Sequence, residues 1–100
     1  MQLNLTGKNF KITPAIKIYA EEKFEPLLKR YNQITNIHVI LNIEHIENIA
    51  EANVHFHGSE INAKASAKDM YIAIEDVIEK LSAQLHKHKE KIIDSHRESS

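Results

Sequence analysis

Cysteine and tryptophan are absent from the 100 residues, and glycine and proline occur only twice each. Without thiols there is no disulfide framework, no thiolate metal site and no cysteine nucleophile, a pattern that fits a reducing compartment. The isolated glycines, Gly7 and Gly58, cannot build a phosphate-cradling loop, and no serine nucleophile motif is present. No stretch approaches the ~18 consecutive apolar residues of a membrane span. The opening Met1-Gln2-Leu3-Asn4-Leu5 has neither a basic leader nor an apolar core. A soluble, cytoplasmic chain with no membrane partner and no cofactor is expected. An excess of positive charge is also missing. Thirteen Lys and Arg face 14 Asp and Glu, for a net charge of −1 and a pI near 6.6. That balance excludes a generally adhesive nucleic-acid binder, so an RNA partner would have to be met by how the charge is distributed. The length suits one domain of modest stability.

What is present is strong periodicity. Leu3 and Leu5 alternate with polar neighbours in a half-buried strand that Gly7 is expected to end. Thr13-Pro14 starts a helix, because the threonine oxygen can cap free amides and proline fits the first turn. Ile16, Ala20, Phe24, Leu27, Leu28 and Tyr31 share one face of it, and Pro26 predicts a kink. Ile37, Val39, Leu41 and Ile43 mark a second strand, and Ala52, Val54 and Phe56 a third. Gly58-Ser59 predicts a hairpin turn into Ile61, Ala63 and Ala65. Asp69 caps a long helix to about Ile93, with Met70, Ile74, Val77, Ile78, Leu81, Leu85 and Ile92 on its apolar face. The expected class is α+β, ordered β-α-β-β-β-α, a four-stranded sheet with two helices on one face. Residues 1–94 form one domain in this reading, and 95–100 a frayed tail.

The last helix sorts its charges. At ~100° per residue, Lys80, Gln84, Lys87 and Lys91 form a row beside the apolar face, and Glu75, Glu79 and Glu90 fall mostly on the far side. A cationic row free of acids suits a polyanion, and the plain alternative is a solubilising face. Tyr19, Lys23 and Arg30 flank the core face of the first helix in a smaller version of the pattern. If the cationic edges adjoin, they form one groove suited to RNA phosphates and 2′-hydroxyls. His55 and His57 share a strand face with His38 potentially across the ladder, but no acidic fourth ligand accompanies them and no metal is expected. His88 reads as a half-buried packing residue, and Tyr71 either stacks on a base or packs beside Met70. Glu75-Asp76 and Glu21-Glu22 are adjacent and point apart, so neither makes a catalytic dyad. An enzyme is not expected.

Met1-Gln2-Leu3-Asn4-Leu5-Thr6-Gly7, Ile12-Thr13-Pro14-Ala15-Ile16, Gly58-x-Glu60-Ile61, Asp69-Met70-Tyr71-x-Ala73-Ile74 and Lys80-Leu81-x-x-Gln84-Leu85-x-Lys87-His88-Lys89 closely resemble the bacterial ribosome hibernation-promoting factors and the related ribosome-associated inhibitor. The resemblance spans Met1 to about Ile92 and implies a fold similar to a double-stranded-RNA-binding domain. It also implies a role. Members of the family bind the small ribosomal subunit, with its 16S-type rRNA, over the messenger channel and the A and P tRNA sites, and silence ribosomes when growth stops. Carried onto matching positions, the nucleic-acid-binding candidates are Lys23, Lys29 and Arg30 on the first helix and Lys80, Gln84, Lys87, Lys89 and Lys91 on the last. Ala83, where the family often has arginine, and Pro26 depart from its pattern. The chain ends before the dimerising domain of the long form or the charged tail of the inhibitor would begin, so the short form is the expected type. In the family that form acts with a small partner, ribosome modulation factor, to join inactive ribosomes into dimers.

The expectation is a non-enzymatic translational repressor of stationary phase, monomeric off the ribosome, that occludes messenger and tRNA and promotes ribosome dimers. The alternatives are an inhibitor that holds single ribosomes, and a free-standing double-stranded-RNA-binding module.

Overall fold

The structure is a computed structural model that describes residues 2–99, with side chains described for residues 3–88. The element order is β1 (Gln2–Lys8), α1 (Pro14–Arg30), β2 (Ile34–Glu44), β3 (Glu47–Phe56), β4 (Ser59–Ala67) and α2 (Met70–Ser99). The sheet runs β1-β2-β3-β4, with β1 parallel to β2 and the other pairs antiparallel. A parallel pair needs a crossover, which α1 supplies.

Local chemistry sets most boundaries. The Thr13 side chain accepts a bond from the Ile16 amide at 3.2 Å, with Pro14 at the first helical position. The helix runs uninterrupted through Pro26, which is exposed, so water can serve the carbonyl that its missing N–H leaves unpaired. Asp69 caps α2 through its carboxylate, which accepts from the Tyr71 amide at 2.7 Å. With no Pro or Gly after it, α2 continues past the expected Ile93 to Ser99. The packing of Ile92 and the behaviour of the 95–100 tail lie outside the described side chains.

Turn chemistry corrects three expectations. The β3–β4 turn is His57–Gly58, one residue earlier than expected: both have positive φ, 52° and 74°, and Ser59 already pairs with Phe56. A two-residue turn with both φ positive matches the twist of the flanking strands. Gly7 does not end β1 but lies inside it, opposite Leu41, and a Cβ there would stand 2.0 Å from the Phe10 carbonyl oxygen. Its role is close approach of the returning chain. The β2–β3 connection is the pair His45–Ile46, with His45 at φ 57°, so β3 begins at Glu47 rather than Ala52. Histidine tolerates this conformation better than branched residues. An irregularity between Ile34 and Asn36 lets Ile34 and Ile37 both face the core and carries β2 three residues further back than its alternation suggests.

The core lies between one sheet face and both helices. Phe24, Ile37, Val39, Leu41, Val54, Phe56, Ile74, Val77, Leu81 and Leu85 are fully enclosed. Each such side chain stabilises the fold by roughly 1.5–3 kcal/mol relative to exposure. Leu3, Leu5, Leu28 and Ile78 pack at its margin, and Ile43 stands at the surface. Ala73, outside the expected stripe, is fully buried and lets α2 sit close to the sheet. The opposite sheet face is polar, with Asn4 bonded to Asn36, Thr6 to His38, and Asn62 to both Glu51 and Asn53.

Candidate nucleic-acid interface

The expected row on α2 faces the exposed edge of β4. The Lys80 ammonium donates to the Lys64 carbonyl at 2.8 Å, and the Gln84 amide donates to the Asn62 carbonyl at 2.9 Å. Both contacts stitch the helix to outward carbonyls of an edge strand, groups that would otherwise be open to pairing with another chain. Lys80 remains exposed and keeps further ammonium donors for a phosphate. One turn on, Lys87 and the half-buried His88 border a hollow with Glu60, Ile61, Asn62 and Gln84. His88 meets the Phe56 ring edge-on at 5.9 Å, the packing expected of it. Lys89 and Lys91 belong to α2, but their side chains lie outside the described residues.

The cationic edges of the two helices do not adjoin, so they do not form the common groove that adjoining edges would make. Lys80 and Gln84 are on the β4 side of α2, while α1 packs along its other side. The groove between the helices is lined by Lys23, Glu75, Asp76, Ile78 and Glu79, so Lys23 stands among carboxylates. Its ammonium also lies 5.4 Å from the Tyr19 ring centre. Lys29 pairs with Glu25 at 3.0 Å, an exposed contact between residues four apart worth about 0.3–0.5 kcal/mol. Arg30 lies over Tyr31, 5.6 Å from the ring centre. These cations are readable on α1, but they do not extend the α2 row.

A contact that the sequence reading missed locks the helices together. The Tyr19 hydroxyl donates to the Glu75 carboxylate, and the Tyr19 and Tyr71 rings meet edge-on at 4.7 Å. Tyr71 therefore packs against Tyr19 rather than simply beside Met70. The bond to Glu75, with partial desolvation, pushes the Tyr19 pKa up from 10.0 to about 12. Helical spacing puts Tyr19 and Glu75 on helix flanks, but only the packed pair reveals that those flanks are the ones in contact.

His38, His55 and His57 are not gathered into a ligand cluster. His38 bonds Thr6 at 2.9 Å and lies opposite Asn53, not His55. His55 pairs with Glu60 at 3.5 Å, and His57 has left the strand for the turn. Among the described residues no three His, Cys, Asp or Glu side chains are placed to hold a metal ion. Nor is any helix there long and apolar enough to cross a membrane.

The arrangement of a mixed sheet with two helices on one face has counterparts among known proteins. The model of the family described as Sigma 54 modulation protein / S30EA ribosomal protein matches residues 3–93. The chain belongs to this family. Relatives named ribosome hibernation promoting factor include one from Klebsiella oxytoca, 45% identical over 92 residues that cover 92% of this chain and 97% of the relative. The Escherichia coli K12 relative of the same name is 41% identical with the same coverage. Among solved structures, a ribosomal subunit interface protein from Coxiella burnetii superposes with a TM-score of 0.81 at 38% identity, covering 89% of this chain and 98% of that one. The N-terminal domain of Protein Y from Thermus thermophilus gives a TM-score of 0.76 at 29% identity, covering 85% and 94%. The family match runs from β1 through most of α2.

Proposed function

We propose that this S30EA-family chain is a ribosome hibernation factor of the short form, located in the cytoplasm on ribosomes. It binds the small ribosomal subunit at the decoding channel, excludes messenger and tRNA, and so represses translation in stationary phase. The observation that carries this reading is the Lys80–Gln84–Lys87 row along the β4 edge, in which Lys80 and Gln84 are held in place by bonds to the strand itself. Fixed cations lose less side-chain freedom on meeting a phosphate than mobile ones, and each neutralised phosphate releases counterions. The names of the relatives, ribosome hibernation promoting factor and ribosomal subunit interface protein, support the partner.

The mechanism is occlusion. Lys80, Lys87, Lys89 and Lys91 take rRNA phosphates, Gln84 adds an amide contact beside them, and Lys23, Lys29 and Arg30 contribute from α1. No bond is made or broken, so inhibition reverses when salt or competing messenger and initiator tRNA displace the protein. Off the ribosome the chain is a monomer, and with ribosome modulation factor it promotes inactive ribosome dimers. Sucrose-gradient profiles of ribosomes with and without the protein test the reading. Co-sedimentation with the small subunit and a shift toward dimers are expected. Binding without dimers would favour the inhibitor that holds single ribosomes, and no co-sedimentation would leave the free-standing RNA-binding module.

A further inference from the structure

The two ends of the Lys80–Lys87 row differ in their neighbours. The hollow beside Lys80 also holds Asp76 and Glu79, so its charge is mixed. Two turns further along α2, Glu60 and Lys87 border the next hollow and cancel in charge while the imidazole of His88, on the same rim, is neutral. Three histidines converge on this end. His88 is half-buried with its ring 5.9 Å from that of Phe56, and His57, exposed in the β3–β4 turn, meets the same phenyl ring at 4.4 Å. His55 pairs with Glu60 at 3.5 Å. Around them stand Glu51, which accepts from the Asn62 amide at 3.1 Å, and, from α1, Arg30 over Tyr31, whose ring meets Phe56 at 6.0 Å. His57 precedes Gly58 at φ 52°, a position where asparagine is the favoured residue, so the turn itself gains nothing from an imidazole.

Histidine is the side chain whose charge changes between about pH 5 and 8. Protonation acts twice on this hollow. His88 and His57 become cations near Lys87, and protonated His55 makes its contact with Glu60 an ion pair that offsets the carboxylate. The hollow thereby turns from neutral to cationic, whereas the Lys80 hollow, with no histidine among the described residues lining it, keeps its charge. An anion favours the protonated rings, so its binding takes up protons and tightens as pH falls.

We propose that the hollow between the β3–β4 turn and α2, bordered by Glu60, Lys87 and His88 with His55 and His57 beside it, is a proton-coupled phosphate site that tightens the hold on rRNA in mildly acidic conditions. The proposal rests on the ribosome-binding reading and adds a regulation to the same row.

The test measures ribosome affinity at about pH 7.5 and about pH 6, across the range in which imidazoles change charge. The chains compared are the parent, His57→Asn, the double variant His57→Asn with His88→Gln, and His45→Asn. His45 lies in the β2–β3 turn at the other end of β3, with φ 57°, so its replacement makes the same kind of change away from the hollow. The parent should bind roughly fourfold tighter at the lower pH for each imidazole that a phosphate holds protonated. His45→Asn should keep that gain, and the double variant should lose it. His57→Asn alone, which suits the turn and should not lower the urea midpoint, should lose part of it. Titration calorimetry in two buffers of different ionisation heat should show more protons taken up on binding by the parent than by the double variant. An equal gain in the double variant and the parent, a gain lost in His45→Asn, or a parent affinity that does not rise at the lower pH would overturn the proposal and leave the ribosome reading intact. Failure of the parent to co-sediment with ribosomes at either pH would remove both.

Discussion

Tyr19 is the residue through which the helices know each other's position. Removing its hydroxyl in Tyr19→Phe keeps the edge contact with Tyr71 but deletes the bond to Glu75. A loss of roughly 0.5–1.5 kcal/mol is expected in urea denaturation, and no loss would mean the bond is idle. The same bond sets a pH dependence. The Tyr19 pKa rises from 10.0 to about 12 on folding, so the folded state holds this proton more tightly than the unfolded one. Its stabilisation is complete below pH 10 and disappears as pH climbs toward about 12. Ultraviolet difference titration of the parent chain against Tyr19→Phe should isolate a phenol with a raised midpoint, and an ordinary midpoint would contradict the geometry. Gly7 offers a second test at this scale. A Cβ would overlap the Phe10 carbonyl oxygen at 2.0 Å, backbone that cannot swing aside. Gly7→Ala should therefore cost about 1–3 kcal/mol, read as a lower urea midpoint.

At the scale of the element, the edge of β4 is where stability and function can be separated. Lys80 and Gln84 bond strand carbonyls, whereas exposed Lys87 lines the adjoining hollow. Lys80→Met, which keeps most of the stem, should lower both stability, by about 0.5–1 kcal/mol, and ribosome affinity. Lys87→Ala should lower affinity while changing stability by no more than about 0.5 kcal/mol. Thermal melts beside ribosome co-sedimentation check the pair, and equal behaviour of the two variants would dissolve the distinction. Ala83 lines a neighbouring hollow with Ala65, Ser66, Lys80 and two carboxylates, Asp76 and Glu79. Ala83→Arg places a guanidinium there that can grip a phosphate with two parallel bonds, and tighter ribosome binding is expected. Unchanged or weaker affinity in that variant, with the fold intact, would mean the RNA passes elsewhere.

For the whole molecule, a net charge of −1 hides a division into faces. One side of α2 presents Lys80 and Lys87 along β4, Glu75 lies in the groove on its other side, and Asp76 and Glu79 stand between, lining the hollows on both sides. Binding driven by the first face should weaken linearly in log–log plots against salt. Each lysine replaced should reduce the slope by roughly 0.7–0.9. Lys87→Ala measured over a salt series gives this directly, and an unchanged slope would exclude a phosphate contact by Lys87. Occlusion also requires ribosomes to regain activity, with rRNA intact on a gel, once the protein is washed away. Cleaved rRNA would point to chemistry instead.

Periodicity determined the element order and the apolar faces of both helices, and residue type determined the Thr13 and Asp69 caps, because each depends on neighbours within a turn or a strand. Periodicity also placed Lys80, Gln84 and Lys87 in one row. Short-range rules faltered where no marker residue was present, as at His45–Ile46, or where the marker had another task, as Gly7 does inside β1. Which flanks adjoin was decided by tertiary structure. The parallel β1–β2 crossover sets α1 on one side of α2, so Lys23 meets Glu75, Asp76 and Glu79 instead of the cationic row, and Lys80 meets the β4 edge. A sequence specifies the angle of a side chain about its own helix, and only the packing of helices on a sheet determines what that angle faces.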